Sequence, residues 1–277
     1  MNTVILHSND IVVAEKLAVE LKGDLESRQS HFRIHTKLFP DLEQLRDLYR
    51  VDINLLSETF NCTEAALLVC DMDSTLITIE SIDEIAKIAG IANKVASITE
   101  KAMQGKLDFT SSFKARVLML KGTKSEVIEQ VYNEQLRLSR GAEEMINFFK
   151  AINVKTAVIS GGLAYFAKRI QGRLGLDNYR ANSVEIADDC LTGNVTGKVI
   201  DAAEKARYIH ELCTQYGFQE NQVIAIGDGA NDLEMMKIAG LSVAYHAKPL
   251  LQENCDVVIK YGGLDTMIDF FDKITFV

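Results

Sequence analysis

The chain has no basic excess, no cysteine framework and no long apolar run, and each absence removes a class of function. Its 30 Lys and Arg stand against 39 Asp and Glu, a formal charge of -9. A nucleic-acid binder gathers positive charge on one face, so a small-molecule ligand is the better expectation. Cys62, Cys70, Cys190, Cys213 and Cys255 are odd in number, scattered and never in CxxC spacing. That speaks against a disulfide scaffold or a thiolate zinc site and for free thiols in a reducing cytosol. No stretch reaches the ~18 apolar residues of a membrane helix. Met1 leads into a strand-like segment with no basic leader region, so the expected location is cytoplasmic. Only two prolines occur, no Pro-rich linker divides the chain, and neither repeat nor low-complexity tract is visible.

What is present is an alternation. "ALLVC" (66–70), "KTAVIS" (155–160), "QVIAIG" (222–227), "LSVAY" (241–245) and "DVVIK" (256–260) are short apolar runs of the kind that parallel strands buried on both faces require. Segments with helical spacing, such as "GGLAYFAKRIQGRLG" and "DAAEKARYIHELCTQYG", lie between them and end near glycine. The pattern predicts an α/β, doubly wound, Rossmann-like core over 65–277 with its site at the carboxyl ends of the strands. "SVEIADDCLTGNVTG" (183–197) reads as an attached hairpin. From about 80 to 147 there are helical patterns and no convincing strand, far more than a crossover needs. This predicts a helical cap inserted after the first core strand. Residues 1–64 read as a small α/β module of βαβ type, with strands at "TVILHS" and "FRIHTKLF", helices near 11–22 and 41–49, and "SETFNCTE" as the joint. Its role is not legible.

The chemistry concentrates at predicted strand ends. In "CDMDST", Asp71 and Asp73 follow the first core strand two residues apart, so in extended chain they point the same way. Close carboxylates repel, which favours a retained proton or a bound cation. Mg²⁺ suits a site of few carboxylates, water and phosphate oxygens. A solvated acidic turn has the same letters, so the motif needs a partner. "IGDGANDLEMM" supplies Asp228, Asn231 and Asp232 after another strand. "AVISGGLAYF" places Ser160 at a strand end, with Gly161 and Gly162 expected to open a helix whose free N–H groups can hold phosphate. By spacing alone, Lys205 would be one more surface lysine.

The ordered set "DMDST", "SGG", a helical lysine and "GDGAND" resembles the haloacid dehalogenase superfamily of aspartate-nucleophile phosphatases over essentially all of 65–277. "DMDSTLITIESIDEIAKIAG", "ITEKAMQGKLDF", "SSFKARVLMLKG" and "GDGANDLEMMKIAGLSVAYHAKP" resemble the branch of that superfamily that hydrolyses O-phospho-L-serine. The resemblance implies Asp71 as nucleophile, Asp73 as acid and then base, and Mg²⁺ held by Asp71, the Asp73 carbonyl and Asp228. It assigns phosphoryl binding to Ser160, Gly161, Lys205 and Asn231, an orienting role to Asp232, and recognition of the amino-acid ammonium and carboxylate to Glu80 and Arg116. Phe109 and Met103 would line the closing cap. Transfer to another small phosphomonoester or acceptor such as homoserine stays open, as does a receiver-like domain that merely holds an aspartyl phosphate. The resemblance leaves the oligomeric state undetermined, a homodimer being one option.

Overall fold

The computed structural model describes residues 1–56, 60–103 and 106–271. The amino-terminal module runs β1 (Asn2–Leu6), α1 (Ile11–Glu20), β2 (Asp24–Ser27), β3 (Phe32–Thr36), α2 (Leu42–Tyr49) and β4 (Ile53–Leu55). Both helices start at an aspartate whose side chain accepts first-turn N–H groups, Asp10 from Val12 and Val13 and Asp41 from Gln44. The four strands form a sheet in the order β2-β3-β1-β4, antiparallel throughout. This corrects the βαβ expectation, which implied parallel pairing. β1 and β3 are neighbours, and β2 folds back on β3 to give a hairpin. Residues 57–59 of the expected joint lie outside the described residues.

The second sheet has seven strands, built from β5 (Leu67–Cys70), then α3 (Ser81–Ile88), α4 (Ala92–Met103), α5 (Phe109–Met119), α6 (Ser125–Gln130), α7 (Ala142–Ala151), β6 (Lys155–Leu163), α8 (Ala164–Leu174), β7 (Asn178–Ala187), β8 (Cys190–Thr196), α9 (Ala202–Tyr216), β9 (Val223–Gly227), α10 (Leu233–Ile238), β10 (Leu241–Tyr245), α11 (Pro249–Gln252) and β11 (Val257–Ile259). Its order is β11-β10-β9-β5-β6-β7-β8, parallel except for the β7–β8 hairpin. β5 shows why near-continuous apolar runs were the right signal. Leu68 and Cys70 join one apolar core, and Leu67 and Val69 the core on the opposite face. The chain steps from β5 to β6 and later returns past β5 to β9, so the order in which parallel strands are added reverses between β5 and β9 and leaves a crevice at their carboxyl ends.

Helices α3 to α6 stand over that crevice. They are tied to the hairpin as well as to the core, because Gly122 N–H donates to the Leu191 carbonyl at 2.8 Å, Leu191 N–H to Thr123 at 2.8 Å and Ser125 N–H to Asp189 at 2.8 Å. The strand-free stretch was expected to serve the cap to about 147. α7 instead packs on β6 and on the carboxyl-terminal 3-10 turn (Leu264–Phe270), with Phe149 edge-on to Phe271 at 5.0 Å. The amino-terminal module is fastened to the far edge of the sheet. Asn54 exchanges two hydrogen bonds with the Val258 backbone, at 3.1 and 2.9 Å. The Asp52 carboxylate accepts from the N–H groups of Lys260, Tyr261 and Gly262 at 2.7, 3.2 and 2.6 Å. Among the described residues no helix is long and apolar enough to cross a membrane.

Candidate active site

Three strand ends and one helix supply most of the polar groups. β5 ends at Cys70, and the following loop turns at once, with Ser74 in the left-handed region at φ 57 and the Ile77 N–H returning to the Met72 carbonyl at 3.0 Å. Asp71 is 3 % exposed and Asp73 is half-buried beside it. β9 ends at Gly227, and the loop beyond it carries Asp228, Asn231 and Asp232. A side chain on Gly227 would run into the Asp232 carboxylate, so only glycine admits that approach.

Lys205 is the largest departure from what spacing suggested. Four residues past the Asp201 cap of α9 it is fully buried, donating to Asp71 at 2.5 Å and to Asp232 at 2.6 Å. Burial opposes its charge, but the two carboxylates outweigh burial and raise its pKa above the ordinary lysine value. Asp232 is saturated with donors, because its other oxygen accepts the N–H groups of Asp228 and Gly229 at 3.2 Å each. It fixes Lys205 and the loop at once.

The remaining carboxylates are undercompensated. Burial, only partly offset by Lys205, pushes the Asp71 carboxyl well above the usual range, with Asp232 and Asp228 adding to the rise. Burial and then the Asp232 charge push Asp228 up to about 7. Burial and then Glu80 push Asp73 up to about 7. Carboxylate oxygens of Asp71, Asp228 and Asp232 lie within 4.8 Å of one another. Hard oxygens with surplus negative charge in a polar crevice fit a small divalent cation. Since the Asp232 oxygens are already occupied, Asp71 and Asp228 are the side chains free to bind it.

On the other wall, β6 continues through Leu163 and α8 starts only at Ala164. This corrects the expectation that Gly161 and Gly162 open the helix, since both lie in extended chain. The Ser160 hydroxyl accepts from the Gly162 N–H at 2.8 Å, leaving its own proton available. A side chain on Gly161 would strike the Phe109 ring at 2.6 Å, and one on Gly162 the Asp73 carboxylate at 2.6 Å. The Asp73 Oδ2 accepts from the Ser81 hydroxyl at 2.8 Å, whereas Oδ1 is buried without a partner among the described residues. Glu80 is exposed and accepts from the Ser74 hydroxyl at 2.8 Å.

Together these residues line a cavity of about 260 Å³, walled by Asp71, Asp73, Ser160, Gly161, Asp228 and Asn231 on the sheet side and by Glu80, Phe109 and Arg116 on the helical side. The residues singled out in the sequence thus gather in one place, with Lys205 and Asp232 directly behind Asp71. It missed Ser81, Asp83, Thr99 and Lys248. Ser81 follows Glu80 and Asp83 shares its helix, so their spacing was available as a signal. Thr99 and Lys248 lie within the stretches that carry the resemblance but were not singled out in them, the latter reaching the site because its N–H donates to the Asp228 carbonyl at 3.0 Å. The Met103 side chain lies outside the described residues.

The haloacid dehalogenase-like hydrolase family matches residues 65–240. A curated phosphoserine phosphatase of Haemophilus influenzae is 42% identical over 257 residues, covering 93% of this chain and 77% of that one. Among solved structures, a haloacid dehalogenase family hydrolase of Salmonella enterica serovar Typhi superposes with a TM-score of 0.91 at 32% identity, over 99% of both chains. A substrate-bound phosphoserine phosphatase complex superposes with a TM-score of 0.70 at 37% identity, over 75% of this chain and 98% of that one.

Proposed function

The chain belongs to the haloacid dehalogenase-like hydrolase family, and from that membership we propose that it hydrolyses O-phospho-L-serine to serine and phosphate. The observation that carries the reading is the Asp71–Lys205–Asp232 group at the end of β5, facing a cavity whose helical wall presents Glu80 and Arg116.

Asp71 attacks phosphorus in line, and the serine oxygen departs as the aspartyl phosphate forms. Asp73 gives that oxygen a proton through its unpartnered Oδ1, and then takes one from the water that cleaves the aspartyl phosphate. A carboxyl pushed to about 7 is suited to both transfers near neutral pH. Ser81 holds Oδ2 and thereby aims Oδ1. The free proton of Ser160, the Gly161 N–H, the Lys205 ammonium and the Asn231 amide bind phosphoryl oxygens as charge develops on them. Asp71 and Asp228, with the Asp73 carbonyl, would hold Mg²⁺, which when bound neutralises charge between nucleophile and phosphate. Glu80 pairs with the substrate ammonium and Arg116 forks onto its carboxylate, a geometry guanidinium fits better than ammonium. The acid at Asp73 and the roofed cavity favour hydrolysis over the passive phosphate-holding of a receiver-like domain. Five free cysteines suit a reducing, cytoplasmic setting.

The test is phosphate release from O-phospho-L-serine with and without Mg²⁺, beside phosphohomoserine, phosphothreonine and p-nitrophenyl phosphate, with homoserine added as a trial acceptor. Mg²⁺-dependent preference for phosphoserine supports the reading. Preference for another ester, or accumulation of phosphohomoserine, overturns the substrate while keeping the chemistry.

A further inference from the structure

The helical wall of the cavity holds one acid that the mechanism above leaves unused, Asp83, together with the Arg116 that it does use. Asp83 lies on α3 and Arg116 on α5, and both side chains line the cavity. Each has one buried polar atom without a partner among the described residues, an acceptor in Asp83 Oδ1 and a donor in Arg116 Nε. A buried donor and a buried acceptor left unsatisfied both cost stability, and here they are complementary in charge. Burial raises the Asp83 carboxyl, and Arg116 is the strongest charge acting on it and opposes that rise, as Lys87 does more weakly, while Glu80 and Glu84 add to it. Glu80 is placed differently, since it is exposed and already takes the Ser74 hydroxyl.

We propose that Asp83 is a positioning residue for Arg116, whose charge holds the guanidinium by its Nε side so that the two terminal nitrogens face the substrate carboxylate. The proposal rests on the phosphoserine reading. It deepens that reading by dividing the work on the helical wall. Glu80 takes the ammonium, Arg116 takes the carboxylate, and Asp83 touches neither but fixes the fork. A guanidinium free to swing would meet a carboxylate with one nitrogen as often as two, losing the bidentate geometry that gives arginine its selectivity.

The experiment compares Asp83→Asn and Asp83→Glu with wild type on four substrates. These are phosphoserine, phospholactate (carboxylate without ammonium), phosphoethanolamine (ammonium without carboxylate) and p-nitrophenyl phosphate. Asp83→Asn is expected to raise KM for phosphoserine and phospholactate about 10-fold relative to the other two, the size of one charge-assisted hydrogen bond, with kcat moving far less than KM. Asp83→Glu is expected to recover part of the loss. In an Arg116→Ala background, Asp83→Asn should add nothing for the two carboxylate substrates. A rise for phosphoethanolamine matching that for phosphoserine would put Asp83 on the ammonium and overturn the proposal. Equal loss on all four substrates would make it structural, and no change in any KM ratio would remove it from the site. A wild-type enzyme indifferent to the substrate carboxylate would overturn the phosphoserine reading first, before any variant is compared.

Discussion

Replacing Lys205 by methionine tests the organisation of the centre most directly. The lysine is fully buried, and it touches Asp71, 3 % exposed, and Asp232, fully buried, at 2.5 and 2.6 Å. Methionine keeps most of the hydrocarbon volume, so the change is mainly the loss of one positive charge from among buried carboxylates. Removing one partner of a buried ion pair costs roughly 3–5 kcal/mol. For a chain of this size that corresponds to roughly 6–20 °C in melting temperature. The deficit must depend on pH, with a definite sign. Without Lys205, the Asp71 carboxyl, already raised by burial, loses the charge that partly offsets that rise and gains a proton more readily in the folded state than in the unfolded one. A carboxyl whose folded pKa is raised contributes stability below its unfolded pKa and loses it as pH rises through the folded value. The variant should therefore be closest to wild type near pH 5 and fall furthest behind above pH 8. Thermal melts across that range with metal chelated provide the assay, and adding Asp232→Asn should return part of the loss at high pH. A deficit independent of pH, or one that Asp232→Asn merely adds to, would refute the charge argument.

Asp71→Asn should abolish both turnover and covalent phosphate labelling, read by mass spectrometry of acid-quenched enzyme; label persisting at another residue would remove Asp71 as nucleophile. Asp73→Asn should lower turnover by roughly 10²-fold or more, and it should flatten the wild-type decline in the rate of the first step above about pH 7, where Asp73 gives up its proton. An unaltered rate and profile would reject its acid role. Asp52→Ala removes the acceptor of three backbone N–H groups from a site 1 % exposed, at a cost of about 2–4 kcal/mol. Hydrogen exchange at Lys260, Tyr261 and Gly262 should accelerate together, and unchanged protection there would show that the joint does not depend on Asp52.

How legible the chain was depended on the range of the contacts. The parallel core was readable because β5, β6, β9, β10 and β11 bury both faces, so that each sequence run is close to continuously apolar. The amino-terminal module was half readable. β2 is "DLES", exposed or half-buried throughout, and β4 spans three residues, so neither leaves a periodic signal, and without them the antiparallel order could not be drawn. The hairpin was recognised from its polar turn. Its hydrogen bonds to residues 122–125 of the cap could not be, because they join backbones far apart in sequence. In the site, strand-end carboxylates announced themselves, but Lys205 stands 134 residues from Asp71, and nothing local separates it from the other lysines. Only family resemblance singled it out. The joint of Asp269 with His7 and Ser30, separated by 262 and 239 residues, had neither kind of signal.

The charge around the cavity ties metal binding to pH. Asp71, Asp73, Glu80, Asp83 and Asp228 line it against Arg116 and Lys248, so a phosphate dianion entering with every carboxylate ionised would meet net negative charge. Protons on the carboxylates relieve this, as does a divalent cation, and the two compete for the same oxygens. Asp228 is pushed up to about 7 by burial and by Asp232, and Asp71 is raised as well. Below that pH a cation has to displace a proton; above it the carboxylate is free. Mg²⁺ affinity should therefore weaken as pH falls from 8 to 6, and binding at pH 6 should release protons to the solvent. Titration calorimetry in two buffers of different ionisation enthalpy measures both. In an Asp228→Asn variant the pH dependence should shrink along with the affinity. Affinity independent of pH between 6 and 8, with no proton release, would mean that the cation binds away from the raised carboxylates.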